Sequence, residues 1–296
     1  MKCYTINYPD LVYIYDGTYE GLLTCIFESF SRKEIPRDIQ VDGQAQLSLS
    51  PSCRIPTDEV KAHRVAVSFP IKLGHSVTEF FQMAFLTCLT GKEIFMLRFI
   101  HKAFRYGPCV LDMLADDTVH ILTKAIQHMT QESHLLKGFI RFSDYHSFLV
   151  TVIHPKNFVL PLLQPHFCDR FGREAFLIFD ENHNAALFHQ PGKSKIIPLT
   201  ELTLQAPDEE EQKYRALWQS YYETIAIKAR YNPKCRMSHM PKRYWDFMTE
   251  FGAQGIAKYE NTATPYTPIS QSAEKPSSNA AQGLRTKTPQ SLPLVP

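Results

Sequence analysis

The chain has 296 residues, 44% hydrophobic and 21% charged, with a net charge of +2. That is enough apolar material for a substantial core, and it shows no global bias toward a polyanionic partner. Its seven cysteines, Cys3, Cys25, Cys53, Cys88, Cys109, Cys168 and Cys235, are scattered without a C-x-x-C pair, which argues for reduced thiols and against a disulfide framework, a zinc cradle or an iron–sulfur cradle.

The opening MKCYTINYPD has no apolar signal core and no run approaches about 18 apolar residues, so the expectation is a cytoplasmic chain without a membrane span. Leu11–Tyr15 reads as a short strand, Asp16-Gly17 as a turn, and Leu22, Leu23, Ile26, Phe27 and Phe30 as the face of a helix. Residues 36–57, rich in Pro, Gln and Ser, predict short strands and loops, and Val60–Phe69 fits helix or strand equally. From Ser76 to about Leu136 the pattern is helical. Gly91 and Gly107-Pro108 punctuate it, and a third helix starts near Asp116 with Val119, Leu122, Ile126 and Met129 on its buried face.

At Gly138 the period changes. GFIRF and SFLVTVI flanking SDYH predict a hairpin, VLPLLQPHFCDRF a short helix, and Ala175–Gln190 a second hairpin turning at Glu181–Asn184, followed by a strand in KIIPLT. Asp208, with Glu211 at capping-box spacing, starts the next helix. Tyr214, Leu217, Trp218, Tyr221, Tyr222 and Ile225 form its apolar stripe, Lys228 and Arg230 fall in its last turn, and Asn232-Pro233 stops it. The fold class is therefore α+β, an antiparallel sheet packed by helices with an N-terminal strand–turn–helix unit. A single domain is expected over residues 1–252, with a disordered Ser/Thr/Pro-rich tail over 253–296.

The stretch RYNPKCRMSHMPKRYW, Arg230 to Trp245, carries five cations and no acid. Pro241 fits the first position of a helix, which would put Lys242 and Arg243 in a first turn where cations are disfavoured by roughly 0.3–1 kcal/mol each. No acid lies in the preceding eighteen residues. A bound phosphate would reverse the sign of that effect, with Arg230, Asn232, Lys234 and Arg236 extending the contact and Tyr231 offering a stacking face. A solvated basic loop is the plainer alternative.

YDGTYEGLLTCIFESF, ESHLLKGFIRF, VLPLLQPHFCDRF and RYNPKCRMSHMPKRYW together resemble a DNA metabolism and repair family over roughly residues 1–251. That family is a domain of unknown function encoded beside a radical-SAM protein assigned to DNA modification or repair, and a similar domain is fused to uracil-DNA glycosylases. Arg236 departs from the family pattern, where glutamine is expected. The resemblance implies a DNA-linked context and a radical-SAM protein partner; it supplies no activity. This chain has no C-x-x-x-C-x-x-C for a radical-SAM cluster and none of the Gly/Pro-rich uracil-binding loops.

Chemical candidates are few. Asp16 ends a strand and opens a helix, as a ligand site or as a helix cap. Glu132, His134, Lys137 and Arg141 gather at a helix-to-strand junction, where Glu132 and His134 make an acid/base pair only if the helix ends between them. His166 and Arg170 sit in PHFCDRF; His166 reads as a core histidine rather than a metal ligand, and Arg170 and Arg141 as further phosphate contacts. No nucleotide, dinucleotide or serine-hydrolase motif is present, and no cofactor or metal is expected. The leading expectation is a nucleic-acid-binding accessory protein of DNA metabolism. The alternatives are an enzyme using Asp16, Glu132, His134 and His166, or a protein-interaction scaffold.

Overall fold

The computed structural model describes residues 6–43, 50–145, 148–251 and 259–261. The predicted tail, residues 253–296, lies outside them except for Tyr259–Asn261. Two compact units divide between Thr130 and Gln131.

The first unit opens with β1 (Val12–Tyr15), α1 (Tyr19–Arg32), β2 (Asp38–Val41) and β3 (Ser52–Arg54). β1 is the central strand, parallel to β2 on one side and to β3 on the other. Parallel neighbours need a crossover, which α1 supplies between β1 and β2. The ambiguous Val60–Phe69 lies in α2 (Glu59–Leu73), capped by Asp58, whose carboxylate accepts from the amides of Val60 and Lys61. α3 (His75–Phe85) and α4 (Lys92–Tyr106) follow, separated by Gly91 at φ 66°. A 3-10 segment (Gly107–Asp112) then leads to α5 (Asp117–Phe139). The core joins Tyr13, Leu22 and Ile26 to Phe69, Phe81, Phe99 and Leu122, all fully buried.

In the second unit β4 (Ser143–Asp144), β5 (Phe148–Ile153), α6 (Leu160–Arg170), β6 (Ala175–Asp180), β7 (Ala185–Gln190) and β8 (Lys193–Pro198) form a five-stranded sheet in the order β4-β5-β6-β7-β8. The hairpin β6–β7 has the expected turn, with Asn184 at φ 50°. GFIRF does not form a strand: α5 runs through Gly138 to Phe139, and only Ser143–Asp144 pairs with β5. The sheet is mixed rather than antiparallel throughout, because α6 carries the chain from β5 to a parallel β6. β9 (Leu204–Gln205) and β10 (Glu260–Asn261) make a small parallel pair. α7 (Glu209–Thr224) begins at Asp208, whose carboxylate accepts from the Glu211 amide at 2.8 Å.

α7 ends before Lys228, so Lys228 and Arg230 fall in a 3-10 turn of their own. Asn232 does not merely stop a helix; it caps α8 (Pro233–His239) by accepting from the Cys235 amide at 3.0 Å. The segment from Pro241 is a 3-10 turn, Lys242–Phe247, followed by another at Thr249–Phe251. Among the described residues no helix is long and apolar enough to cross a membrane.

His101 on α4 stacks on Phe30 at 4.1 Å and meets Ser29 Oγ at 2.9 Å. Burial pushes its imidazole down to about 4, against an ordinary value of 6.5. Between those values the unfolded chain holds the proton and the native chain does not, so this contribution to stability is complete above pH 6.5 and is lost as pH falls toward 4. Lowering pH from 7 to 5 should therefore cost about 1–2 kcal/mol through this residue, allowing for partial solvent access. Urea midpoints at the two pH values should show that loss reduced in His101→Phe; an equal loss in the variant would place the acid sensitivity elsewhere.

Candidate functional site

The apolar stripe of α7 is not a core face. Tyr214, Leu217, Trp218 and Tyr221 are 61%, 64%, 39% and 52% exposed, and they line an open groove of about 980 Å³ within the second unit. Lys137, Arg141 and Phe142, at and after the end of α5, and Phe167, Arg170 and Phe171, at the end of α6, supply much of the remaining lining. Phe142 sits edge-on to Phe167 and Phe171 at 5.6 and 5.1 Å, giving the groove an aromatic floor.

Four cations line this groove against one carboxylate, Glu211. Glu211 is committed to structure: it pairs with Arg215 at 2.7 Å and accepts from the Asp144 amide at 3.1 Å. Arg141 donates to Glu250 at 2.8 and 3.3 Å. Lys137 and Arg170 form no ion pair among the described residues, so their charge faces the groove uncompensated.

Glu250 organises the site. Its side chain is 2% exposed, and besides Arg141 it accepts from Trp218 Nε1 at 3.1 Å. The Arg141 guanidinium lies 5.8 Å from the centre of the Trp218 ring. On one side of Glu250, the Thr249 carbonyl accepts from Gln219 on α7 at 2.9 Å. On the other, Phe251 stacks on Trp245 at 4.4 Å and meets Tyr222 edge-on at 5.8 Å. Three consecutive residues thus tie α7 to Arg141 and to the basic segment.

That basic segment divides into two sets. Arg236 packs over Trp245, Phe251 and Tyr231 at 4.9, 5.5 and 5.9 Å, Asn232 is a helix cap, and Arg243 pairs with the buried Glu132 at 3.2 Å. The expected helix start at Pro241, with unopposed cations in its first turn, is therefore replaced by a 3-10 turn in which Arg243 already has a carboxylate. Arg230, Tyr231, Lys234 and Lys242 are exposed, and the three cations among them form no ion pair among the described residues.

Glu132 is 4% exposed. Its oxygens accept from the amides of Lys156 and Asn157 and from Asn157 Nδ2 at 3.1, 2.9 and 2.7 Å. Because α5 continues unbroken to Phe139, Glu132 points into the unit while His134 is exposed, and the pair does not form. His166 is half-buried on α6, edge-on to Phe167 at 4.9 Å, and no hydrogen bond joins it to Glu132 or His134 among the described residues. Nor do those residues hold a group of three or more His, Cys, Asp or Glu side chains able to bind a metal.

Asp16 belongs to the first unit and acts there as a local clamp. It accepts from the Thr18 amide and hydroxyl at 2.9 and 2.7 Å and from Thr57 Oγ1 at 2.7 Å. Burial opposes its ionisation, but these hydrogen bonds outweigh burial and hold its pKa below the usual carboxylate range. Thr18 then caps α1, accepting from the Gly21 amide. A Cβ at Gly21 would lie 2.2 Å from Asp16 Oδ1, so glycine is what lets the helix approach the carboxylate this closely.

Glu250, Gln219 and the exposure of α7 were not anticipated from sequence. The aromatic spacing on α7 was a signal for the shared face, whereas Glu250 carried none. Residues 90–250 match a family described as a domain of unknown function, DUF4130. No curated protein matches the chain.

Removing the Glu250 carboxylate leaves Arg141 and Trp218 without their shared acceptor. Glu250→Ala should destabilise the protein by about 2–3 kcal/mol, the range for losing a buried charged hydrogen-bonding partner, and shift tryptophan emission to the red. An unchanged urea midpoint with unchanged emission would show that the carboxylate does not hold the groove.

Proposed function

The chain belongs to the DUF4130 family, whose description assigns no activity, and we propose that it binds nucleic acid through the groove between α7 and the ends of α5 and α6. The observation that carries this reading is the pairing of two uncompensated cations, Lys137 and Arg170, with exposed aromatic faces on α7 in one open groove. Phosphates supply the anionic partner that the cations lack, and bases supply flat apolar faces for the rings. Arg141 and Arg215 keep their carboxylates and act chiefly by fixing the shape of the walls. Arg230, Lys234 and Lys242 extend the positive surface beyond the groove, with Tyr231 beside them.

The resemblance to the DNA metabolism and repair family supports DNA as the polymer and an accessory role beside a radical-SAM protein. An enzymatic reading through Glu132, His134 and His166 has no acid/base pair to support it. A scaffold without affinity for nucleic acid would leave the groove cations unused.

Each phosphate contact contributes roughly 0.7–0.9 to the slope of log K against log salt. Lys137→Ala with Arg170→Ala should therefore flatten that slope by about 1.4–1.8 and weaken binding, while the urea midpoint stays near wild type. Lys242→Ala should flatten it by less than one unit, and adding Arg243→Ala should change it little further, because Arg243 is already paired. Slopes measured by fluorescence anisotropy that do not respond to the Lys137/Arg170 pair would overturn the assignment. The accessory role predicts that the purified chain retains the neighbouring radical-SAM protein in a pull-down; no retention, with or without DNA, would remove that partner.

A further inference from the structure

Resting on the nucleic-acid reading above, we infer that the groove takes a single strand, with unpaired bases stacking on Tyr214, Trp218 and Tyr221, and does not take a duplex. Positions 214, 218 and 221 recur at helical spacing and share one face of α7. Seven residues of helix span about 10 Å, close to the rise of three stacked bases at about 3.4 Å each. Trp218 and Tyr221 already form a stacked pair, 5.7 Å apart at 29°. That pair is a platform to be extended at its exposed end by the face of a base, with Tyr214 further along the same stripe.

A duplex has no use for such a surface. Its base faces are hidden in the stack and only base edges reach the grooves, where recognition requires hydrogen-bonding side chains aimed outward. Among the α7 residues that line the groove the nitrogen donors are committed, and Tyr214 and Tyr221 present ring faces with one hydroxyl each. Trp218 Nε1 is held by Glu250, and Arg215 is held by Glu211 and by Ser143 Oγ at 2.8 Å. The size of the groove points the same way. About 980 Å³ is the scale of a site that takes a ligand of a few rings, which matches a short run of nucleotides.

The two uncompensated cations then have a specific task. In an unpaired strand the backbone and the base faces diverge, so one wall must attract phosphates while another receives bases. Lys137 and Arg170 come from α5 and α6, and the exposed rings come from α7. Pre-set orientation lowers the cost of ordering the strand, and Glu250 supplies it by fixing Trp218 against Arg141.

The test uses the full chain and three labelled probes of equal length: an oligothymidylate, an abasic strand with the same number of phosphates, and a blunt duplex. Oligothymidylate should bind at least tenfold more tightly than either of the others at the same salt concentration. Tyr214→Leu with Tyr221→Leu, both at exposed positions, should remove most of its advantage over the abasic strand, with Trp218 still in place, without changing the salt slope. Equal affinity for all three probes, with a slope still sensitive to Lys137→Ala and Arg170→Ala, would overturn the single-strand inference and leave the nucleic-acid reading standing. Salt-independent binding, or no binding to any probe, would overturn both.

Discussion

A buried carboxylate cannot remain ionised without donors, and that requirement shapes the second unit around Glu250. With 2% of its side chain exposed, Glu250 needs the Arg141 guanidinium and the Trp218 indole N–H together. Arg141 follows the end of α5, Trp218 lies on α7, and Glu250 lies between Thr249 and Phe251, each with its own attachment. Three segments distant in sequence are thereby fixed at one point. The consequence is an exposed aromatic face held rigidly on a helix that buries little of its own surface.

The cations of this unit divide by whether a carboxylate claims them. Arg141, Arg215 and Arg243 are paired with Glu250, Glu211 and Glu132 and serve as struts. Arg236 is occupied by three aromatic rings. Lys137 and Arg170 in the groove, and Arg230, Lys234 and Lys242 outside it, carry charge that no described carboxylate balances. Counting positive residues along the chain would rank Arg230–Trp245 first. Sorting them by pairing moves the centre of interest to the groove, where fewer cations meet exposed rings.

Some local signals in the sequence match the fold and others do not: α5 passes through Gly138, and Pro241 opens a 3-10 turn instead of a helix. The turn at Glu181–Asn184, the Asp208 cap and the glycine breaks around α4 depend on neighbouring residues, and each stands where its chemistry puts it. The spacing of Tyr214, Leu217, Trp218 and Tyr221 correctly identified one face of α7, but periodicity says which side chains share a face and not whether anything covers it. Glu132 lies more than a hundred positions from Arg243, and Glu250 as far from Arg141. No window along the chain contains either pair. The parallel pairing of β5 and β6 was likewise hidden, although the helix that imposes it, α6, was legible.

The same distinction bears on Glu132. At the level of sequence, a glutamate two residues from a histidine at a helix end suggests chemistry, and so does a basic run with no acid nearby. In the fold the two suggestions cancel: the glutamate saturates its oxygens on the Lys156–Asn157 backbone and neutralises an arginine from that basic run. A carboxylate whose oxygens are already taken by backbone and side-chain donors has no free acceptor position to offer a substrate, and a guanidinium held by that carboxylate is not free to wrap a phosphate. What remains available on this unit is the charge and the ring surface that the fold has not consumed; among the described residues the basic segment offers its free cations one exposed ring, Tyr231, whereas the groove where α7 faces the ends of α5 and α6 sets Lys137 and Arg170 against the rings of Tyr214, Trp218 and Tyr221.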